Sequence, residues 1–296
     1  MCKVLPVKWL RQITVVGMGL LGSSITIAAS RCLAGVRTVG YSHRQATRDK
    51  ARAYGVADVI CDDIADSVKE ADIVIVASPV RTFEVIFRQI AVSAGKGCII
   101  TDVGSVKVLP HRWAEKSFGQ DVHYVGSHPI AGSEKRGLEF GRDDLFANAR
   151  CILTRTERTD SRSLGKLRRF WEKLGCCVAV MTPAEHDRIL GRVSHVPHVT
   201  AAALVNASDA QQIKYAGKGF MDTSRVASGP ANVWTDILLS NRSNICRGIE
   251  GVRKELGKLK DAIESGDEKK IEKLLTKAAD KREQLIKYKM KNKELL

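Results

Sequence analysis

The sequence predicts an α/β chain, a Rossmann-type doubly wound and mainly parallel sheet followed by an all-helical domain. Three observations carry this. A β-rich run, Ile13-Thr-Val-Val, feeds into Gly17-x-Gly19-x-x-Gly22 and then into an apolar helical stretch. Short, nearly continuous apolar runs recur at helix-length intervals as far as Val180. Beyond residue 182 these runs stop, and apolar positions take a helical period instead.

At 296 residues the chain has room for about two domains, each with its own core. Hydrophobic residues at 44% and charged residues at 27% exclude global disorder, and 5% aromatic content argues against a base-stacking platform. The 48 Lys+Arg against 33 Asp+Glu leave +15, which favours an anionic partner. Part of that charge lies in residues 251–296, where fourteen Lys/Arg interleave with nine Asp/Glu. Interleaved signs describe a solvated helix surface, so no nucleic-acid partner is expected. Eight cysteines fall partly in apolar runs such as Cys98-Ile-Ile and Cys151-Ile-Leu, and none forms a C-x-x-C pair. Free thiols used as small hydrophobes point to a reducing, cytoplasmic setting.

The stretch from Ile13 to Ser30 carries no charge and follows Lys3, Lys8 and Arg11, as a signal peptide or membrane anchor would. Its glycines argue otherwise. Gly17, Gly19 and Gly22 have the spacing that permits a tight turn, close approach of backbone to a pyrophosphate, and close helix–strand packing. The helix start at Leu20 and Leu21 would then face the phosphates, and no membrane partner is expected. The second strand, Val36-Arg-Thr-Val-Gly-Tyr41, follows at the distance a βαβ unit requires. Further strands are expected at 73–77, 98–101, 123–125, 151–153 and 177–180, buried on both faces of a parallel sheet.

At Thr182-Pro-Ala-Glu185 the pattern changes. Threonine as N-cap, proline at N1 and glutamate at N3 form a capping box, so a helix and a domain boundary are expected here. The division is 1–181 for dinucleotide binding and 182–296 for a helical substrate-binding and dimerisation domain. Ile245, Ile249, Val252, Leu256, Leu259 and Ile263 recur in alternating steps of four and three, an apolar seam. It either packs inside its own domain or forms a dimer interface. Ser265-Gly-Asp267 breaks the helix, and Ile271, Leu274, Ala278 and Leu285 begin a second run.

Three polar clusters fall where strand ends converge in a doubly wound sheet: Ser78-Pro79, Asp102 to Lys107, and Ser127 to Glu134. Histidine at a strand end, His128, with the Ser105 hydroxyl from a neighbouring strand, can take a proton from a substrate alcohol. After the second strand an NAD enzyme would offer Asp or Glu to the ribose. Here Ser42, His43 and Arg44 follow Tyr41, with Arg48 one turn on. Losing the carboxylate and gaining arginines favours NADP over NAD, unless those arginines are merely solvated. His195-x-x-His198 has the look of a metal pair, but Pro197 interrupts the helix and no third ligand stands nearby, so no metal is expected.

Taken together, Gly17-x-Gly19-x-x-Gly22, Asp102-Val-Gly-Ser-Val-Lys107, Ser127-His-Pro-Ile-Ala-Gly132-Ser-Glu134, His186-Asp187, Ser194-His-Val-Pro-His198 and Gly219-Phe-x-Asp-x-x-Arg225, followed by Trp234, resemble the prephenate/arogenate dehydrogenases of tyrosine biosynthesis. The resemblance implies oxidative decarboxylation of a small anionic substrate with hydride transfer to NAD(P). By resemblance His128 accepts the proton of the ring hydroxyl and Ser105 orients that contact. Arg225 meets a substrate carboxylate, and His198 and Glu134 contact or gate the substrate side chain. Ser78, Pro79 and Asp102 would stand beside the cofactor with Gly17, Gly19, Leu20, Leu21, Gly22, Ser42, His43, Arg44 and Arg48. The resemblance also implies a homodimer through the helical domain, and no room for an appended regulatory domain. It leaves prephenate and arogenate both open. Two rivals remain: another two-domain hydroxyacid or imine dehydrogenase, and a nucleic-acid-binding redox sensor built on the same fold.

Overall fold

The computed structural model describes residues 9–131, 135 and 137–291. The described residues within Met1–Leu190 and Gly229–Ser240 form one compact unit, and those within Gly191–Ser228 and Asn241–Leu296 form a second.

The first unit opens with β1 (Gln12–Val16), α1 (Leu20–Cys32), β2 (Arg37–Tyr41), α2 (Gln45–Tyr54), β3 (Val59–Cys61) and α3 (Ile64–Val68). It continues with β4 (Ile73–Val76), α4 (Phe83–Ser93), β5 (Ile99–Asp102), α5 (Val108–Ser117) and β6 (His123–Tyr124). These strands form one sheet in the order β3-β2-β1-β4-β5-β6, with every pair parallel. Successive side chains point to opposite faces, and so feed two cores. Ile13, Val15, Ile73 and Ile75 pack with Ile25 and Ala29 of α1 on one face. Val16, Val74 and Val76 pack with Val68, Phe87 and Ile90 of α3 and α4 on the other. β1 and β4 are buried throughout; β4 reads Ile-Val-Ile-Val without a break, whereas β1 admits the polar Gln12 and Thr14, and the Thr14 hydroxyl donates to the Ser67 carbonyl.

After Tyr124 the chain leaves this sheet. β7 (Gly126–Pro129), β8 (Arg150–Thr154), α6 (Ser161–Lys173) and β9 (Cys177–Met181) make a separate three-stranded sheet, in which β7 runs antiparallel to β8 and β8 parallel to β9. Thus the runs at 151–153 and 177–180 are strands, as expected, but they do not extend the parallel sheet. An apolar run specifies burial and not its pairing partner. β3 and β7 were not expected; β7 reads Gly-Ser-His-Pro and offers no β-branched or aromatic residue to mark it.

α7 (Pro183–Leu190) starts with the expected capping box: the Thr182 N–H donates to Glu185 Oε2 at 2.9 Å, and the Glu185 N–H donates to Thr182 Oγ1 at 3.2 Å. This helix belongs to the first compact unit because His186 and Asp187 are buried in it. The onset of helical sequence at 182 and the end of the compact unit at Leu190 are therefore separate boundaries.

In the second unit a π-helical turn, Gly191–His195, leads into α8 (Val196–Asn206), followed by α9 (Ala210–Ile213) and α10 (Lys218–Ser224). Pro197 does not interrupt this helix as expected. It follows closely on the π-helical turn Gly191–His195, where the regular i→i−4 hydrogen bonding is already altered, and the backbone stays helical through it. α11 (Ala231–Ser240) returns to the first unit, and α12 (Arg242–Glu264) and α13 (Glu268–Lys291) complete the second. Between them Gly266 takes φ +64°, the left-handed conformation that ends a helix cheaply only for glycine. The α12 seam is buried at Ile245 but leaves Leu256 59% and Ile263 64% exposed. Among the described residues no helix is long and apolar enough to cross a membrane; the uncharged stretch from Ile13 is β1, the glycine turn and α1.

Candidate functional site

The neighbours β1 and β4 lie where the strand order reverses, so the loops after them diverge around a crevice at their carboxyl ends. Gly17 takes φ +112° there, and a Cβ on it would stand 2.6 Å from the Ala77 carbonyl oxygen. On Gly22 a Cβ would stand 2.0 Å from the Gly17 oxygen. Both glycines are thus required by close backbone approach. Gly19 differs, since a Cβ would meet nothing within 4 Å. It caps α1 with no side-chain acceptor and no acidic residue in the first turn, so backbone N–H groups at Leu20 and Leu21 present the positive end of the helix. That arrangement fits a dinucleotide pyrophosphate. Leu21, Ser78, Pro79 and Ser105 line a cavity of about 130 Å³ that Val233 and Ile237 of α11 help to enclose.

Asp102 has a different place from the one expected. It is fully buried, and its carboxylate accepts from Lys107 Nζ at 2.6 Å, the Gly104 N–H at 2.7 Å and the Tyr124 hydroxyl at 2.6 Å. Lys107 Nζ donates also to the Gly104 and Val106 carbonyls. The pair lies beneath the 103–107 loop and fixes the backbone that presents Ser105.

Around the end of β2, Ser42 is buried and His43 and Arg44 are exposed. Arg48 is no free cation. Its guanidinium, with the side chain 11% exposed, donates to the Ser42 and His43 carbonyls at 2.8 and 3.1 Å and to Asp62 Oδ1 at 2.9 Å. Asp62 also pairs with Arg52, and hydrogen bonds from Arg52 and then Arg48 hold its carboxyl below the usual range. Arg48 therefore braces the turn. Arg44, at the start of α2, makes no side-chain hydrogen bond among the described residues.

His128 lies within β7, opposite Ile152 of β8. Its Nδ1 is 2.8 Å from His186 Nε2, and His186 Nδ1 is 2.8 Å from Asp187 Oδ1. The Asp187 carboxylate accepts two more hydrogen bonds, from the Lys107 N–H at 2.7 Å and the Val108 N–H at 2.9 Å, where α5 begins. All three side chains are buried. The partner of His128 Nδ1 is thus His186 from α7, which sequence reasoning quoted only as part of a motif; adjacent ionisable residues in a helix's first turns were the available signal. Nearby, His111 Nε2 meets Thr154 Oγ1 at 2.9 Å, and burial followed by Lys107 pushes its pKa down to about 4.

The remaining candidates belong to the second unit or lie outside the described residues. His198 is buried in α8, and burial lowers its pKa against an opposing hydrogen bond to the Val226 backbone. Arg225 opens the single turn Arg225–Ser228 that packs on α8, and it is exposed. Glu134 falls among the residues not described.

Two family models match in tandem, one described as prephenate dehydrogenase, nucleotide-binding domain, over residues 28–180, the other as prephenate dehydrogenase, dimerization domain, over residues 182–277. The chain is 32% identical over 264 residues to cyclohexadienyl dehydrogenase of Zymomonas mobilis, covering 87% of this chain and 90% of that one. It is 32% identical over 280 residues to prephenate dehydrogenase of Bacillus subtilis, covering 92% and 76%. The structure of prephenate dehydrogenase from A. aeolicus in complex with hydroxyphenyl propionate and NAD+ matches with TM-score 0.87 and 34% identity, covering 93% of this chain and 98% of that one. Synechocystis arogenate dehydrogenase matches with TM-score 0.80 and 29% identity, covering 93% and 99%.

Proposed function

The chain belongs to the prephenate dehydrogenase family, and from that premise we propose that His128 is the base in an oxidative decarboxylation of prephenate or arogenate with hydride transfer to NAD(P). The observation that carries this reading is a buried histidine aligned by a hydrogen-bonded carboxylate–imidazole pair, in the unit that holds the dinucleotide crevice. His128 accepts the ring-hydroxyl proton as the carbinol carbon gives up its hydride. A bound nicotinamide supplies the hydride acceptor. The ring carboxylate leaves as carbon dioxide, its bonding electrons complete the aromatic ring, and the proton returns to the phenol oxygen. General-base assistance of this kind is worth a factor on the order of 10² to 10⁴.

Ser105, on a loop pinned by Asp102 and Lys107, orients the hydroxyl. Arg225 meets a substrate carboxylate, for which a guanidinium fork is suited, and His198 contacts the side chain. NADP is preferred over NAD. The support is the absence of Asp and Glu from Ser42, His43 and Arg44, together with the exposed Arg44 guanidinium. The protein works as a homodimer through the second unit, a reading supported by the exposed Leu256 and Ile263 and by the description of the matching family model. A reducing cytoplasm suits its buried thiols, such as Cys98, whose pKa burial pushes up to about 12.

Initial rates of the purified protein with prephenate and with arogenate, each against NAD and NADP, test the proposal. Turnover of at least one substrate with reduced cofactor and carbon dioxide formed in equal amounts is expected. Absence of turnover with all four combinations rejects it.

A further inference from the structure

We infer that His186 and Asp187 are positioning residues that decide which ring nitrogen of His128 carries the hydrogen. This inference deepens the reading of His128 as the base and rests on it. Asp187 lies within α7, while the two backbone N–H groups it accepts belong to Lys107 and Val108, about eighty residues earlier in the chain. Those two bonds fix the carboxylate, and Oδ1 stands 2.8 Å from His186 Nδ1. An ionised carboxylate only accepts, so the His186 hydrogen must be on Nδ1. In the neutral ring the lone pair is then on Nε2, facing His128 Nδ1 at 2.8 Å. A lone pair there requires His128 Nδ1 to donate. Neutral His128 consequently keeps its own lone pair on Nε2, the nitrogen that a base at this position has to use.

The chain of hydrogen bonds therefore runs in one direction, from His128 through His186 to Asp187. If the hydrogen of His186 moved to Nε2, the contact would reverse, His128 Nδ1 would become the acceptor, and neutral His128 would carry its hydrogen on Nε2. Such a ring cannot take a proton at Nε2. Burial strengthens the control, since Asp187, His186 and His128 are all enclosed and water competes poorly for these contacts. The same geometry places a fixed negative charge two hydrogen bonds from the imidazolium that forms when His128 accepts a proton, the role an aspartate plays behind a catalytic histidine in acyl-transfer triads. A purely structural role, in which Asp187 only caps α5 and His186 only fills space, predicts no effect on the tautomer of His128.

Two-bond ¹⁵N–¹H correlation spectra of the whole protein read the tautomer directly, with the His128 signals assigned by their loss in His128→Gln. For the wild type above the titration range, a hydrogen on Nδ1 and a bare Nε2 are expected; a hydrogen on Nε2 overturns the inference without any variant. In Asp187→Asn one amide oxygen replaces two carboxylate oxygens, and an NH₂ turned to His186 Nδ1, at the expense of the Lys107 N–H contact, reverses the chain. The expected outcome is a His128 hydrogen on Nε2 and a kcat lowered by a factor on the order of 10² or more, with KM and cofactor Kd changed by no more than about threefold. A folded Asp187→Asn with wild-type kcat, or with lowered kcat and the tautomer unmoved, also overturns it. If the variant does not fold, the wild-type spectrum decides alone. Near-normal turnover in His128→Asn is a separate result: it removes the base reading, whatever the tautomer.

Discussion

The Lys107 ammonium lies 2.6 Å from the Asp102 carboxylate, and both side chains are fully enclosed. A buried ion pair repays its desolvation only when its remaining donors and acceptors are also matched. That condition holds here. Two backbone carbonyls take further hydrogens of Lys107, while the Gly104 N–H and the Tyr124 hydroxyl reach Asp102. The pair thus ties β5, β6 and the Ser105 loop into one network beneath the crevice.

Removing one partner should be costly. Lys107→Met takes the counter-charge from the buried Asp102 and leaves it only the Gly104 N–H and the Tyr124 hydroxyl, and urea denaturation is expected to show a loss of about 3 to 5 kcal/mol. Adding Asp102→Asn to Lys107→Met should recover part of that loss, because the two sites are directly coupled. A Lys107→Met loss below about 1 kcal/mol would show that the pair contributes little to the fold.

His111 makes stability depend on pH. Burial, then Lys107, holds its folded pKa near 4, below the ordinary value of 6.5. As pH falls through 6.5 the unfolded chain binds the proton and the folded chain resists it. The contribution is therefore intact above pH 6.5 and lost as pH falls towards 4. At pH 4.5 the loss should reach about 2 to 3 kcal/mol. Urea midpoints at pH 7 and pH 4.5 check this: the wild type should lose more stability than His111→Gln between the two, and equal losses would remove His111 as the cause.

The two arginines near the ribose turn should separate cleanly. Arg44→Ala removes an exposed guanidinium, and is expected to weaken NADP several-fold with little effect on NAD. Arg48→Ala removes the brace on the Ser42 and His43 carbonyls, and should weaken both cofactors alike. Parallel titrations with the two cofactors distinguish these. A clear NAD preference that Arg44→Ala leaves unchanged would end the NADP assignment.

The exposed seam predicts an oligomer. Leu256 and Ile263 are large apolar residues on a regular helical face, and covering them with a second copy buries surface worth about 25 cal/mol per Å². Sedimentation at micromolar concentration should give a dimer for the wild type and a shift towards monomer for the Leu256→Glu, Ile263→Glu double variant. A monomeric wild type contradicts the assignment.

How far the sequence carried depended on the range of the interaction. Gly17, Gly19 and Gly22, or Thr182 and Glu185, act within a few residues of one another, and their spacing was sufficient to place a turn or a helix start. The family motifs singled out His128 but did not place it within β7. β7 escaped because Gly-Ser-His-Pro carries no strand pattern, and the second sheet escaped because apolar runs do not name their pairing partners. Asp102 looked like a cofactor contact because it stands at a strand end; only coordinates show Lys107 and Tyr124 closing over it. Arg48 is held by Asp62, which lies on another turn, and no local spacing marks that pairing. The contact of His128 with His186 spans 58 residues, and no local period records it.

The most direct test of the account is the turnover of His128→Asn with the preferred substrate and cofactor, set beside its cofactor Kd. Loss of the base acts on the transition state and leaves the dinucleotide crevice intact. The account predicts kcat lowered by a factor on the order of 10² or more with cofactor Kd nearly unchanged; a variant with near-normal kcat would contradict it.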